Sequence, residues 1–160
     1  MNIFDEQSVL FFQKLSKNKV RYILVGGLAV NHYGFSRTTG DIDIWIEDSS
    51  DNRKKLVATL NDFGVEGAEA FLSYPLVAGF AEILLDKGIY IDLMADLTYF
   101  KKENFGECFE VSESLQLSEN LFVKVIHINH LITEKEKSGR PKDKEDLAQL
   151  KIILEKRLKN

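Results

Sequence analysis

Two aspartates interrupt an otherwise apolar segment of the chain. Asp41 and Asp43 stand one residue apart in DIDIWI, whose remaining residues are isoleucine and tryptophan. Side chains alternate between the faces of a strand, so the two carboxylates project from the same face. Like charges that close repel and raise one another's pKa unless a cation lies between them. The pair therefore indicates a divalent-metal site, with an exposed edge strand whose aspartates face water as the alternative.

Two further features strengthen the metal interpretation. Gly26 and Gly27 follow the apolar run YILV, where glycines let a ligand approach the backbone and the N–H groups of a starting helix can bind an anion. Asp92 interrupts IYIDLM and can bring a third carboxylate to the first two. Taken singly, a tight turn and a solvent-facing hairpin residue explain these features equally well. Their combination favours a site for magnesium and phosphate, since Mg²⁺ prefers oxygen ligands and often binds with phosphates.

The hydrophobic pattern predicts the elements that must position these residues. We expect helices from about Ile3 to SKNK, over LAVNHYG, and over EDSSDNRKKLVATLNDFG with Ser49 or Ser50 as N-cap and Gly64 as the stop. Strands are predicted at VRYILVGG, DIDIWIE and LFVKVIHI, and FAEILLDKGIYIDLMAD is predicted to form two strands joined at DKG. Two final helices divide at SGRP. The prediction is an α/β (α+β) fold: a mixed β-sheet flanked by helices, with C-terminal helices.

Composition limits the range of functions. The chain has 160 residues, 44% hydrophobic and 29% charged, which suits one globular domain over 1–160 with a core of about 20–126 and a helical tail of about 127–160. Its formal net charge of −4 gives no overall positive field for nucleic acid. Cys108 is the only cysteine, which excludes an intramolecular disulfide and a zinc cluster of several thiolates. Neither a signal sequence nor a membrane span is evident, so we expect a cytoplasmic protein.

The histidines and the tryptophan give weaker signals. His32 is expected to be a packed or surface residue. His127 and His130 have helix-like spacing, but without a third ligand nearby in the sequence a zinc site is not predicted. Trp45 could stack on a base, although core packing is the commoner role.

The order of these residues resembles the DNA polymerase β-type nucleotidyltransferase superfamily. Its members carry a hydrophobic residue and two small residues, then a carboxylate–hydrophobic–carboxylate strand and a distant third carboxylate. Here thirteen residues separate Gly27 from Asp41. GFSRTTGDIDIWI and HLITEKEKSGRPKDKEDLAQL resemble the small bacterial nucleotidyltransferase-fold proteins, some of which are partners in toxin–antitoxin or phage-abortive systems. The resemblance covers about residues 20–150 and implies a nucleotidyltransferase fold.

The resemblance also implies an activity. A nucleoside monophosphate would pass from a nucleoside triphosphate to an acceptor hydroxyl, with release of pyrophosphate. Asp41 and Asp43 would hold two Mg²⁺ ions, with Mn²⁺ as an alternative. Asp92 would complete the catalytic and metal-binding set and help to activate the acceptor. Gly26 and Gly27 would receive the β and γ phosphates.

Basic residues supply further candidates. Arg37 and Thr38 precede the metal strand and could lie near phosphate, or Arg37 could form a surface ion pair. A local basic cluster is expected near the end of the chain, as an auxiliary phosphate site or as cations at a helix C-terminus capped by Gly139. It comprises Lys135, Arg140 and Lys142.

A second function stays open. Gly27 stands where many active members carry the serine that touches phosphate, and the chain has little room for an acceptor-binding domain. A catalytically inactive, partner-binding protein, antitoxin-like or a subunit of a complex, is therefore the alternative. The acceptor (protein, tRNA or small molecule), the preferred triphosphate and the oligomeric state stay undetermined at this level.

Overall fold

A six-stranded mixed sheet forms the centre of the protein. The computed structural model describes residues 5–85 and 88–160. The strands are β1 (Tyr22–Val25), β2 (Asp41–Ile46), β3 (Glu82–Leu84), β4 (Tyr90–Met94), β5 (Glu113–Ser118) and β6 (Leu121–Val125), in the order β3-β4-β2-β1-β6-β5. The helices are α1 (Glu6–Lys17), α2 (Gly26–His32), α3 (Ser50–Asp62), α4 (Phe105–Glu110), α5 (Ile128–Ser138) and α6 (Pro141–Lys159). Two short 3₁₀ helices cover Ala68–Leu72 and Lys102–Asn104. This is the predicted α/β class with a mixed sheet.

The strand directions bring the predicted site residues to the middle of the sheet. β2 runs antiparallel to β1 and parallel to β4. In this register Asp43 lies opposite Val25 on one side and opposite Asp92 on the other. The outer pairs, β3–β4 and β5–β6, are antiparallel, and β1 pairs with β6 in parallel. Residues far apart in sequence therefore meet at the end of β1.

Burial explains why the central strands tolerate so few polar residues. All four residues of β1 are buried, and Ile42, Ile44 and Ile46 of β2 have no exposed surface. Trp45 lies on the same face as Asp43 and is also fully buried. Its ring packs edge-on against Phe105 at 5.3 Å, and its Nε1–H donates to the carbonyl of Ala95 at 2.8 Å. The predicted core-packing role of Trp45 is thus confirmed.

The predicted helix boundaries follow their capping residues. Ser49, rather than Ser50, caps α3 by accepting a hydrogen bond from the N–H of Asn52, and Gly64 follows the helix with a φ of +86°. Gly139 (φ +63°) ends α5, and Pro141 begins α6. The predicted start of the first helix, at Ile3 and Phe4, lies outside the described residues. In the described part α1 begins after Asp5, whose carboxylate accepts from the N–H of Gln7.

Some elements were not predicted. β5 has the sequence ESLQLS, in which only Leu117 is buried, so the strand lacks a strong apolar signal. α4 and both 3₁₀ helices are too short to show a helical period. The predicted pairing of β3 with β4 is confirmed by their register. Two residues of the predicted DKG turn lie outside the described residues, and its Gly88 has a φ of +75°.

The helices cover the sheet and one another. α2 packs on β1 and β2, α1 contacts α3 and β6, and α5 packs against α6. In the part of the chain that the structure describes, none of the helices combines the length and apolar character needed to cross a bilayer. Residues of α5 lie beside the end of β1, where the candidate site is found.

Asn52 joins the start of α3 to the ends of two strands. Its side-chain oxygen accepts from the N–H of Arg21 at 2.8 Å, and its amide nitrogen donates to the carbonyls of Arg21 (2.9 Å) and Glu47 (2.8 Å). The residue is 2% exposed, so water cannot replace these partners.

We predict that Asn52→Ala lowers the free energy of unfolding by about 1–3 kcal/mol, because it leaves the N–H of Arg21 without a partner and removes one of the two hydrogen bonds that the carbonyls of Arg21 and Glu47 each accept. The matched control is Asn61→Ala in the same helix, where an exposed amide makes one 3.3 Å hydrogen bond to Glu69. That variant is expected to change stability by less than about 0.5 kcal/mol. Urea denaturation of both variants measures the difference, and equal effects would contradict the assigned role of Asn52.

Candidate active site

Three carboxylates share one face of the sheet. Asp41 and Asp43 are two residues apart in β2, and Asp92 is the direct neighbour of Asp43 in β4. The structure therefore brings together the three predicted metal-binding residues. Burial, followed by the charges of Asp92 and Asp41, raises the pKa of Asp43 to about 6, against the smaller opposing effect of Lys135 and Lys142. Such a cluster is costly as bare charge and well suited to a divalent cation.

Both glycines of the predicted phosphate turn lie against site residues. Gly26 has a φ of +69°, and a Cβ placed on it would overlap the carboxylate of Asp43, with Cγ at 2.9 Å. A Cβ on Gly27 would meet Oγ1 of Thr39 at 2.7 Å and the guanidinium of Arg37 at 3.1 Å. Any side chain at either position would therefore displace a neighbour. The closeness of Thr39 and Arg37 gives a structural reason for glycine at position 27, where many superfamily members carry serine.

A cavity of about 370 Å³ opens in front of the carboxylates. This volume lies within the usual range for a small-molecule site. Its lining includes Val25, Gly26, Asp43, Asp92, Lys135 and Arg140. Predicted residues from both ends of the sequence therefore meet around one space, one wall of which is formed by α5 and by Arg140, the N-cap of α6.

Asp92 is held by the backbone of a loop. Its two carboxylate oxygens accept from the N–H of Gly79 at 2.9 and 3.0 Å, and the residue is 8% exposed. Burial raises the pKa of Asp92, the hydrogen bond from Gly79 opposes this, and the carboxylates of Glu82 and Asp41 add to the rise. The loop before β3 thus fixes the third carboxylate.

Lys135 is buried between two carboxylates of α6. Its Nζ lies 2.9 Å from Asp143 and 3.0 Å from Asp146, and the lysine is 5% exposed. Burial alone would raise the pKa of Asp143, but hydrogen bonds from Arg140, Ser138 and Lys135 outweigh it and lower that pKa to about 2. The two carboxylates hold the ammonium group of Lys135 near Asp43, where it opposes the rise in the pKa of that aspartate.

The other predicted basic residues differ in exposure. Arg140 pairs with Asp143 through Nε at 2.7 Å, yet its side chain stays 57% exposed at the rim of the cavity. Lys142 is exposed, and its charge opposes the rise in the pKa of Asp43. The predicted capping of α5 by Gly139 is also present. The basic cluster therefore combines helix-end positions with proximity to the cavity.

Arg37 makes an ion pair that the sequence only partly suggested. Its Nε lies 2.8 Å from the buried Asp146, and one terminal nitrogen donates to the carbonyl of Thr38 at 3.0 Å. The partner is thus a buried carboxylate rather than a surface one. Thr38 itself is exposed, and neither residue lines the cavity wall.

Several residues at the site were missed by sequence reasoning. Asp96, Glu134 and Ser138 line the cavity, and Asp143 and Asp146 hold its lysine. Asp143 and Asp146 could have been identified from the sequence. Together with Leu150 they follow helical spacing on one buried stripe of α6, where a carboxylate needs a cation as partner.

The structure adds a neighbouring group of side chains that the sequence spacing of the histidines did not show. His130 was expected to have no third ligand nearby, but it lies beside Cys108 and Glu107 of α4. Sequence spacing could not find this group because α4 and α5 are separated by the β5–β6 hairpin. His32, as expected, is a packed residue: its ring contacts Tyr33 and its Nε2 lies 3.5 Å from Glu113.

We predict that Asp43→Asn stabilises the metal-free protein. Because the folded-state pKa of Asp43 is about 6, above its ordinary value of 3.8, stability falls as pH rises between these values. At pH 7.5 with EDTA the variant should be more stable than wild type by about 1–2 kcal/mol, and near pH 4 the difference should vanish. Asp51→Asn, at an exposed aspartate of α3, should shift stability by less than about 0.5 kcal/mol at both pH values. Urea denaturation measures the free energy of unfolding of each variant. If Asp43→Asn were less stable than wild type at pH 7.5, the charge of Asp43 would not be destabilising and the argument would be refuted.

Comparison with known proteins agrees with this geometry. The chain matches, over residues 1–158, the model of a family described as "Nucleotidyltransferase of unknown function (DUF6036)". The comparison with curated proteins gave no match. A solved structure, that of an antigenic nucleotidyltransferase-like protein from Paracoccidioides brasiliensis, is similar with a TM-score of 0.52 and 17% identity, covering 90% of this chain and 74% of that chain. At this identity it shows a shared nucleotidyltransferase-like fold. Because the family model spans nearly the whole chain, the protein belongs to the nucleotidyltransferase family DUF6036.

Proposed function

We propose that the protein is a divalent-cation-dependent nucleotidyltransferase that moves a nucleoside monophosphate from a nucleoside triphosphate to an acceptor hydroxyl. The observation that carries this proposal is a cluster of three carboxylates, two of which (Asp43 and Asp92) line one cavity together with the glycine turn and the cations Lys135 and Arg140. A nucleotide site of this kind needs both carboxylates and cations. A triphosphate is an anion, so it can bind next to carboxylates only when metal ions or basic side chains lie between the two.

The donor set at the site fits magnesium. Asp41, Asp43 and Asp92 offer oxygen ligands, and burial followed by the charges of Asp92 and Asp41 raises the pKa of Asp43, so a bound divalent cation would favour its ionised form. These residues would hold Mg²⁺, or Mn²⁺ in its place, which supplies positive charge to stabilise the phosphates of the substrate.

The chain's own residues then have distinct tasks. The N–H groups at the start of α2 and the side chains of Lys135 and Arg140 bind phosphate oxygens. Asp92 accepts the proton of the acceptor hydroxyl at a carboxylate oxygen. The acceptor oxygen forms a bond to the α-phosphorus while the bond from that phosphorus to the bridging oxygen breaks, and pyrophosphate leaves.

The decisive experiment is a thermal-shift panel of the four nucleoside triphosphates with and without Mg²⁺. We expect at least one triphosphate to raise the melting temperature only when the metal is present, and Asp43→Asn to abolish this shift, because the metal loses an anionic ligand. Asp51→Asn should keep it. The shift should grow as pH rises through about 6, since protonated Asp43 cannot bind the metal. A shift that survives Asp43→Asn unchanged would refute the proposal.

A substitution at Arg140 tests whether the basic residues around the cavity bind the triphosphate. We predict that Arg140→Gln weakens triphosphate binding by about tenfold, the loss expected for one charge-assisted contact. Its 57% exposure makes the fold tolerant of the change. The control is Arg157→Gln, which removes a similarly exposed guanidinium paired with Glu113. Equal affinities for the two variants, measured by calorimetry with Mg²⁺, would exclude Arg140 from the phosphate site.

A second candidate is a non-catalytic, partner-binding role, such as an antitoxin or a subunit of a complex. It is favoured by exposed apolar side chains near the edge strand β3: Phe80 is 73% and Leu84 is 59% exposed. A partner complex that survives Asp41→Ala together with Asp43→Ala, in a protein that no triphosphate stabilises, would support this function over the first.

A further inference from the structure

A second group of potential metal ligands lies between α4 and α5. A carboxylate oxygen of Glu107, the sulfur of Cys108 and a ring nitrogen of His130 all lie within 4.8 Å of one another. These residues do not line the cavity in front of Asp43. A mixed set of sulfur, nitrogen and oxygen donors suits a transition metal such as zinc and is unlike the all-oxygen set preferred by Mg²⁺.

His130 carries an unused polar atom at this place. Its Nδ1 is buried and, among the described residues, finds no hydrogen-bond partner. Burial, followed by the nearby His127, lowers the pKa of His130, against the opposing charge of Glu107. An imidazole nitrogen that makes no hydrogen bond is available to bind a metal. A buried nitrogen without a partner is uncommon in proteins, and a metal ion would supply one.

Cys108 lies in an environment that disfavours a thiolate. The residue has no exposed surface, and burial, with the charges of Glu107 and Glu134, raises the pKa of its thiol to about 12. The same carboxylates that disfavour a thiolate would attract a divalent ion. A bound metal ion would favour the thiolate form of Cys108, because coordination to a metal deprotonates a thiol.

We propose that Glu107, Cys108 and His130 form a binding site for a zinc-class divalent transition metal, with water as the remaining ligand. Zinc holds sulfur at about 2.3 Å and nitrogen or oxygen at about 2.0–2.2 Å, so the ligand atoms must approach one another by about 1–1.5 Å at most. Rotation of the exposed Glu107 side chain contributes to this movement. Binding releases the thiol proton of Cys108 to solvent.

The site would act by joining two helices. Cys108 and Glu107 belong to α4, whereas His130 belongs to α5, whose next turn carries Lys135 at the cavity. The ring of Phe100 packs against His130 with centroids 5.0 Å apart, so the imidazole has little freedom to turn away. The metal would therefore stabilise the packing of α4 on α5. This role does not depend on the proposed transfer reaction.

The test uses Co²⁺ as a spectroscopic substitute for zinc in the full-length chain. Asp41→Asn together with Asp43→Asn serves as the background, so that the predicted magnesium site does not compete. We expect one Co²⁺ per chain, with a sulfur-to-cobalt charge-transfer band in the near ultraviolet. Cys108→Ser should abolish the band, Glu107→Gln should weaken binding at least tenfold, and His32→Asn should leave both unchanged. Binding should tighten as pH rises, because the thiol must lose its proton.

A second measurement, the melting temperature with and without Zn²⁺, keeps the test valid if Cys108→Ser folds poorly. Zn²⁺ should raise the melting temperature of the background protein by several degrees but not that of the Glu107→Gln variant, whose exposed side chain makes a folding defect improbable. The proposal is overturned if the background protein shows no charge-transfer band, or if Zn²⁺ stabilises it and Glu107→Gln equally. In that case Cys108 is a buried apolar residue and His130 an aromatic packing partner only.

Discussion

The repulsion among Asp41, Asp43 and Asp92 is the constraint on which the candidate site depends. Three carboxylates on adjacent strands, one of them with a pKa raised to about 6, oppose folding whenever they are ionised together. The fully buried isoleucines of β2 must offset that cost. The parallel register of β2 and β4 is what sets Asp92 beside Asp43. A shift of one residue would turn Asp92 to the opposite face and leave the cluster incomplete.

The C-terminal helices balance part of this charge. Three cations, Lys135, Arg140 and Arg37, share the two buried carboxylates Asp143 and Asp146. Of these cations, Lys135 and Arg140 line the cavity in front of Asp43 and Asp92. Because a buried charge without a partner would be strongly unfavourable, the two carboxylates of α6 stabilise and orient the lysine and the arginines. Helix α5 and Arg140, the N-cap of α6, thus line the site, although the sequence of these two helices alone suggested a tail.

Local chemistry made much of the fold predictable, and long-range pairing limited the rest. β1, β2 and α3 were predictable because continuous apolar runs and the stop at Gly64 mark them in the sequence. β5 was not, since its stability comes from pairing with β6 rather than from its own polar sequence. The aspartates of the site stood out because charge is rare in a buried strand. The contact between Cys108 and His130, by contrast, arises only when α4 and α5 pack together.

Helix α5 contacts the loop after β4, the cavity and α4. Glu134 accepts hydrogen bonds from the N–H groups of Thr98, Tyr99 and Phe100, which fixes the loop after β4. The neighbouring Lys135 reaches the cavity, and His130, one turn earlier, lies against α4. Any interaction that fixes the N-terminal half of α5 therefore also restricts where the ammonium group of Lys135 can lie relative to Asp43. Since electrostatic stabilisation of a transferring phosphate depends on preorganised charges, the packing of α4 on α5 would influence the proposed transfer reaction although neither contact surface lines the cavity.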